Sequence, residues 1–250
     1  MAENKDIDEK LQAQEINLTP SNRFLKWLDN FWFYHKWKLI VITFFAIVII
    51  VGVIQIVSKD ETDVAVIIAV PDTVSKEEYQ SIQTTLVSLM PSDSNGDGKK
   101  VVMISAYPIY SEDEMKIANE SETDQEGRYV TVVDGHYNSS KFEEYTDYLK
   151  TGEVSILFVS EFLYSNLLQN DRVRPLSDVF GENIPANALP DGHGFRLGDL
   201  PIYEFSEGFS GLPEDTVVCF LRSYIWGASS DKQKYSFSEN CFKSIIGFGN

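Results

Sequence analysis

Cysteine and histidine are scarce in this chain, with two and three among 250 residues. Two cysteines exclude a disulfide-dense scaffold and a four-cysteine zinc site. Positive charge is also short. Lys and Arg number 21 against 38 Asp and Glu, a formal net charge of −17, and such a balance excludes a partner held by bulk attraction to phosphate, so no nucleic-acid partner is expected. There is no Walker phosphate loop, no G-x-G-x-x-G and no G-x-S-x-G nucleophile elbow; Gly208-Phe-Ser-Gly211 has the wrong spacing for the last. No internal repeat or low-complexity tract is present. What remains is ordinary globular material, 43% hydrophobic and 24% charged, long enough for one or two domains.

One long stretch lacks charge altogether. From Leu39 to Val57 the only interruptions of an apolar run are Thr43, Gly52 and Gln55. As a helix rising 1.5 Å per residue it would reach roughly 28 Å, about the thickness of a bilayer's hydrocarbon core. Arg23, Lys26, Lys36 and Lys38 precede it, opposed by Asp29 alone, whereas Lys59, Asp60, Glu61 and Asp63 follow. The positive-inside rule therefore places the N-terminus in the cytoplasm and the C-terminus outside. Trp27, Trp32, Tyr34 and Trp37 suit the inner interface, and Phe24, Trp27, Leu28 and Phe31 recur at helical spacing, so this stretch is expected to lie along the membrane. A cleaved signal has a shorter apolar core and a small-residue cleavage site, which makes an uncleaved signal-anchor the expectation. The division that follows is a cytoplasmic tail with its interfacial aromatic segment over 1–36, a transmembrane helix over 37–58 and an extracytoplasmic domain over 59–250. Residues 1–58 carry six basic and six acidic side chains, so the whole −17 belongs to the outside domain.

Within that domain two kinds of pattern alternate. Val64–Val70 is a continuous β-branched apolar run, the mark of a strand buried on both faces. Val101–Ile104, Tyr129–Val133, Val154–Val159 and Thr216–Ile225 read as further strands. Ser75-Lys-Glu-Glu78, Ser111-Glu-Asp-Glu114 and Ser140-Lys-Phe-Glu143 each have the form of a capping box and predict three helix starts. Glu161–Gln169 predicts another helix, and a short one is expected from about Ser238. Strands alternating with helices predict an α/β fold, a mostly parallel sheet with flanking helices.

Several constellations bear on chemistry. Asp93-Ser-Asn-Gly-Asp-Gly98 matches the first half of a calcium-binding EF-hand loop, which makes Asp93, Asn95 and Asp97 candidate oxygen ligands. The twelfth position, where a bidentate Glu is needed, is Ile104, so a polar turn is the favoured reading and no metal is expected there. Asp134-Gly-His136 and Asp191-Gly-His193 repeat one tripeptide that could supply metal ligands in pairs, though each is equally a turn signature. Cys219 and Cys241 could pair in an oxidising exterior. No cofactor is expected.

The order of elements from strand 64–70, through Thr151-Gly-Glu-Val-Ser-Ile-Leu-Phe-Val-Ser160, to the Arg174-Pro-Leu-Ser-Asp178 segment resembles the first lobe of the extracellular solute-binding proteins that serve ABC importers. Gly194–Pro201 and 216–225 resemble the stretch where that lobe's sheet is completed. The aromatic-rich Phe31–Lys38 segment and the Asn-Gly-Asp-Gly loop are similar to features of single-pass membrane proteins of Gram-positive bacteria. This resemblance implies a membrane-anchored binding or interaction module, with the lipid bilayer and a membrane protein as partners, or an accessory subunit of a membrane complex. A whole binding protein has two lobes, and 192 residues hold one, so a ligand cleft between lobes is not implied. A metal-dependent hydrolase using the Asp-Gly-His pairs is the alternative.

Overall fold

A computed structural model describes residues 23–57, 61–120, 133–223 and 229–249. The chain divides into two units, Met1–Lys59 and Asp60–Asn250. In the first, helix α1 (Arg23–Val57) carries a segment, Asn30–Val53, long and apolar enough to cross a membrane, and none of it is buried within the protein. Trp27 stacks on Phe31 at 5.3 Å, and Phe31 meets His35 at 4.9 Å, the i to i+4 spacing of one helical face.

In the second unit, β1 (Val64–Val70) is buried at every position. Val64, Val66, Ile68 and Val70 enter one core and Ala65, Ile67 and Ala69 another, because successive side chains leave a strand on opposite faces. The remaining strands are β2 (Val102–Pro108), β3 (Ile156–Val159), β4 (Gly194–Arg196) and β5 (Val217–Phe220), in the order β2-β1-β3-β5-β4. β2 and β3 run parallel to β1, with Val64 beside Val102 and Val66 beside Ile156. β5 runs antiparallel to β3 and to β4, so the sheet is mixed, and the expectation of a mostly parallel sheet holds only in part. An apolar run that is buried on both faces reads the same in either direction, which is why the reversal of β5 has no signature in its sequence. The stretch expected to be a strand at Tyr129–Val133 lies, but for Val133, outside the described residues.

Helices cover both faces. On one lie α2 (Lys76–Leu89), α6 (Leu176–Phe180), α7 (Pro201–Phe205), α8 (Glu207–Ser210) and α9 (Ser229–Ile246), around Ile82, Phe158, Phe195, Phe209 and Phe242. On the other lie α4 (Gly135–Thr151) and α5 (Glu161–Gln169), with Tyr145, Leu149, Leu163 and Leu167 against Ile67 and Leu157. Each such fully buried side chain contributes about 1.5–3 kcal/mol of transfer free energy.

Two capping boxes form. Ser75 Oγ accepts the Glu78 N–H while Glu78 accepts the Ser75 N–H at 2.7 Å, opening α2. Ser111 and Glu114 do the same before α3 (Glu112–Glu120). The third expected box does not form. Asp134 caps α4 six residues earlier by accepting the His136 N–H, which leaves Ser140 inside the helix. Gly152, at φ +72°, ends α4 in the left-handed conformation that suits glycine. α9 likewise begins at Ser229, well before Ser238.

The Gly208-Phe-Ser-Gly211 segment is a packing device. A Cβ on Gly208 would stand 2.6 Å from the Glu78 carbonyl oxygen, so only glycine lets α8 press on α2. A hydroxyl chain lines this contact. Thr85 donates to Ser206 at 3.1 Å, and Ser81 Oγ accepts the Gly208 N–H at 3.1 Å.

Candidate functional site

β1, β2 and β3 all end at the same edge of the sheet, and β5, being antiparallel, begins there. The chain leaves β1 for β2 on one side, while β3 lies on its other side. Such a switch in strand order opens a crevice beyond the carboxyl ends of the strands. A cleft of about 420 Å³ occupies this place, within the size range of small-molecule pockets.

Four separate segments build it. Pro71 follows β1, and Glu114 comes from the first turn of α3. Ser160, Glu161, Phe162 and Ser165 come from the start of α5, where Ser160 is the N-cap. Pro213, Asp215 and Thr216 lead into β5. The segments are held firmly. Ile109 N–H donates to the Val70 carbonyl and Ser160 N–H to that of Ala69, pinning the chain on both sides of β1's end. Asn138 clamps the loop before α3, accepting the Tyr110 N–H and donating to its carbonyl, both at 2.9 Å.

Three carboxylates face this space, and no lysine or arginine lines it. Glu114 is partly spent on its capping box, accepting the Ser111 N–H. Glu161 and Asp215 are exposed and form no ion pair among the described residues. The negative field is felt nearby: burial pushes the Tyr110 phenol up, and the carboxylates of Asp72 and Glu114 push it further. Thr216 is 1% exposed, and its Oγ1 is buried without a hydrogen-bond partner among the described residues. An unpaired buried hydroxyl costs free energy, about 1–3 kcal/mol.

The residues singled out in the sequence are placed elsewhere. Asp93 accepts the N–H groups of Asn95, Gly96 and Gly98 at 3.0, 2.8 and 2.6 Å. Burial raises its carboxyl, but these three donors together outweigh that and hold it below its usual value. Asn95 Oδ1 accepts the Asp97 N–H, and Asp97 accepts that of Lys99. Both Asp93 oxygens, Asn95 Oδ1 and Asp97 Oδ1 thus each accept a backbone N–H within the half-loop.

The two Asp-Gly-His tripeptides are likewise used locally. Asp134 caps α4. Asp191 accepts the Tyr164 hydroxyl at 2.8 and 2.9 Å through its two oxygens and the His193 N–H at 2.9 Å. Among the described residues no three His, Cys, Asp or Glu side chains come together as a metal site.

Cys219 and Cys241 are free and buried. They do not pair, because Cys219 points into the core beneath α4 and α5 and Cys241 into the core on the other face, so the sheet separates them. Burial raises both thiols, with Cys241 pushed up to about 12 by burial and by Asp63, and a protonated thiol is a poor nucleophile.

The sequence marks Glu114, Glu161 and Thr216 only as starts of elements, and none of the cleft residues as part of a site. They come from four segments with no fixed spacing, and the local signals are two helix starts, the Ser111–Glu114 capping box and Ser160. Compared with known proteins, the chain matches no protein-family model, no curated protein and no solved structure.

Proposed function

We propose that this is a single-pass protein of the cell membrane, N-terminus cytoplasmic and C-terminus outside, whose extracytoplasmic α/β domain is a binding module. The observation that carries the reading is the cleft at the carboxyl ends of β1 and β3, with its unpaired carboxylates and its buried, unpartnered Thr216 hydroxyl. The cleft lies at the end of the sheet opposite the start of β1, where the chain enters the domain. The apolar segment Asn30–Val53 and its basic flank support the anchor and the orientation. The two strands that complete the sheet, β4 and β5, support a domain built like one lobe of a solute-binding protein. Such a module binds without turnover, alone or as an accessory subunit of a membrane complex. The metal-dependent hydrolase is the weaker reading, since both Asp-Gly-His carboxylates are occupied with local turns.

A cysteine placed at Ser165, exposed at the cleft, tests the reading in the full chain. In right-side-out vesicles a membrane-impermeant maleimide should label Ser165→Cys and leave the wild type, with its two buried thiols, unlabelled. Solutes of the cell exterior should slow that labelling. Labelling only after permeabilisation would overturn the orientation, and labelling that no small-molecule or protein fraction slows would overturn the binding site.

A further inference from the structure

The chemistry of the cleft narrows what it takes. Its charged groups are all carboxylates, and two of them, Glu161 and Asp215, have no cationic partner among the described residues. Thr216 lines the same space, and its buried Oγ1 has no hydrogen-bond partner among the described residues. A protein keeps a buried hydroxyl unpaired at a cost, which a donor or acceptor brought to it would relieve. Pro71, Phe162 and Pro213 supply the apolar part of the lining, and Phe162 keeps 44% of its surface exposed. The combination is a negative, hydroxyl-bearing wall beside a small apolar surface.

We propose that the cleft binds a small aliphatic amine, its ammonium group held between the Glu161 and Asp215 carboxylates and hydrogen-bonded to Thr216, and its methylene chain laid against Phe162, Pro71 and Pro213. This rests on the cleft being the binding site. An ammonium group brings three donors and no acceptor, which matches a wall whose free groups are acceptors. An anion is repelled by the same carboxylates. A neutral polyol gains no charge-assisted hydrogen bond, about half the strength available here. A free amine and the lysine side chain of a partner present the same head. The volume of about 420 Å³ and the short apolar stretch favour the free molecule.

The test uses the purified full chain in detergent, titrated calorimetrically with putrescine, with its neutral isostere 1,4-butanediol, with a lysine-rich peptide, and with Ca²⁺ and Mg²⁺. The expected result is one putrescine per chain, no competition from 1,4-butanediol, and affinity that falls as salt is raised. Glu161→Gln combined with Asp215→Asn should weaken putrescine about ten-fold or more, while Glu182→Gln, on an exposed turn away from the cleft, should not. Thr216→Val should weaken it without lowering the melting temperature, since valine removes the unpaired hydroxyl and keeps the shape.

Equal binding of 1,4-butanediol would overturn the ammonium assignment and leave the binding site standing. Displacement of putrescine by Ca²⁺ or Mg²⁺ at equal concentration would overturn it in favour of an inorganic cation, and tighter binding of the peptide would overturn it in favour of a protein partner. Binding that ignores all three cleft substitutions would place the amine on the general acidic surface. No binding by any probe would overturn the amine, and together with unslowed labelling of Ser165→Cys it would overturn the site itself.

Discussion

The two ends of the sheet are both acidic and use their carboxylates in opposite ways. At the end where β1 begins, Asp63 and Asp93 are engaged by backbone donors: Asp63 accepts the N–H groups of Ser94 and Val101 at 2.9 and 2.8 Å, and Asp93 accepts three more. At the end where β1 stops, Glu161 and Asp215 face a cleft and accept nothing from the described protein. The first end has the better metal motif, and the second has the better site. A ligand-like spacing of oxygens is also the spacing of a turn, and here the N-G-D-G segment spends several of those oxygens on its own backbone.

The largest way to break this contrast is to empty the filled end. Asp63 is 3% exposed, and its carboxylate ties the start of β1 to the loop before β2. Asp63→Ala leaves the N–H groups of Ser94 and Val101 without their partner in a largely enclosed position, and should cost about 2–4 kcal/mol of unfolding free energy. Chemical denaturation of the full chain measures it. A loss under 1 kcal/mol would mean that the loop satisfies these donors in another way, and the filled end would be no different in kind from the cleft.

A substitution of opposite sign probes the cleft end. Thr216→Val exchanges an unpaired buried hydroxyl for a methyl of nearly the same volume, so without added ligand it should stabilise by about 1 kcal/mol, the lower part of the penalty for such a group. For most buried threonines the same change destabilises, because a hydrogen bond goes with the hydroxyl. A measured loss would show that Thr216 has a partner in the folded protein, and the ends of the sheet would then differ less than the geometry says.

The filled end was partly legible in sequence and the cleft was not, for a physical reason. Turns and caps are local: Asp93 to Gly98 spans six positions, and Ser75–Glu78 and Ser111–Glu114 announce their helices within four. The same pattern misleads where another residue caps first, as Asp134 does ahead of Ser140. Val64–Val70 and Ile156–Val159 were readable as strands because burial on both faces needs an unbroken apolar run. The direction of β5 and the separation of Cys219 from Cys241 depend on tertiary pairing, which no short window contains. The cleft gathers Pro71, Glu114, Glu161 and Asp215 across almost 150 positions, so each alone resembles an ordinary loop or helix-start residue.

Acid titration separates filled from free carboxylates more finely. Burial raises Glu239, but hydrogen bonds from Lys243 and Arg174, both at 2.7 Å, outweigh it and hold the carboxyl below its usual 4.5. Asp93 is lowered from 3.8. A group depressed in the folded state contributes stability above its unfolded pKa and loses it as pH falls through the folded one. Stability should therefore be level at neutral pH and decline below about 4.5. Glu239→Gln and Asp93→Asn should each flatten part of that decline, by about 1 kcal/mol or less for Glu239 after allowance for solvent screening. Melting curves at stepped pH check this, and an unchanged acid limb in Glu239→Gln would remove the Arg174–Glu239 pair as its source.

The smallest expected effect is the one that defines the cleft. Glu161 and Asp215 are exposed and accept no hydrogen bond from the described residues, so Glu161→Gln and Asp215→Asn take nothing from the fold except like-charge repulsion within a domain that carries the whole −17. Each should shift stability by no more than about 0.5 kcal/mol in either direction. Glu161 carries one qualification of physical origin. It occupies the first turn of α5, where a negative side chain favours the helix dipole by about 0.3–1 kcal/mol at an exposed position. Relief of repulsion and loss of that dipole term oppose each other at Glu161, whereas Asp215, outside any helix, has only the first. Asp215→Asn should therefore be the more favourable of the two, and the difference should shrink as salt is added. If instead either change cost more than 1 kcal/mol, the carboxylate concerned would be part of the scaffold like Asp63, and the cleft would lose the free acceptors on which its role depends.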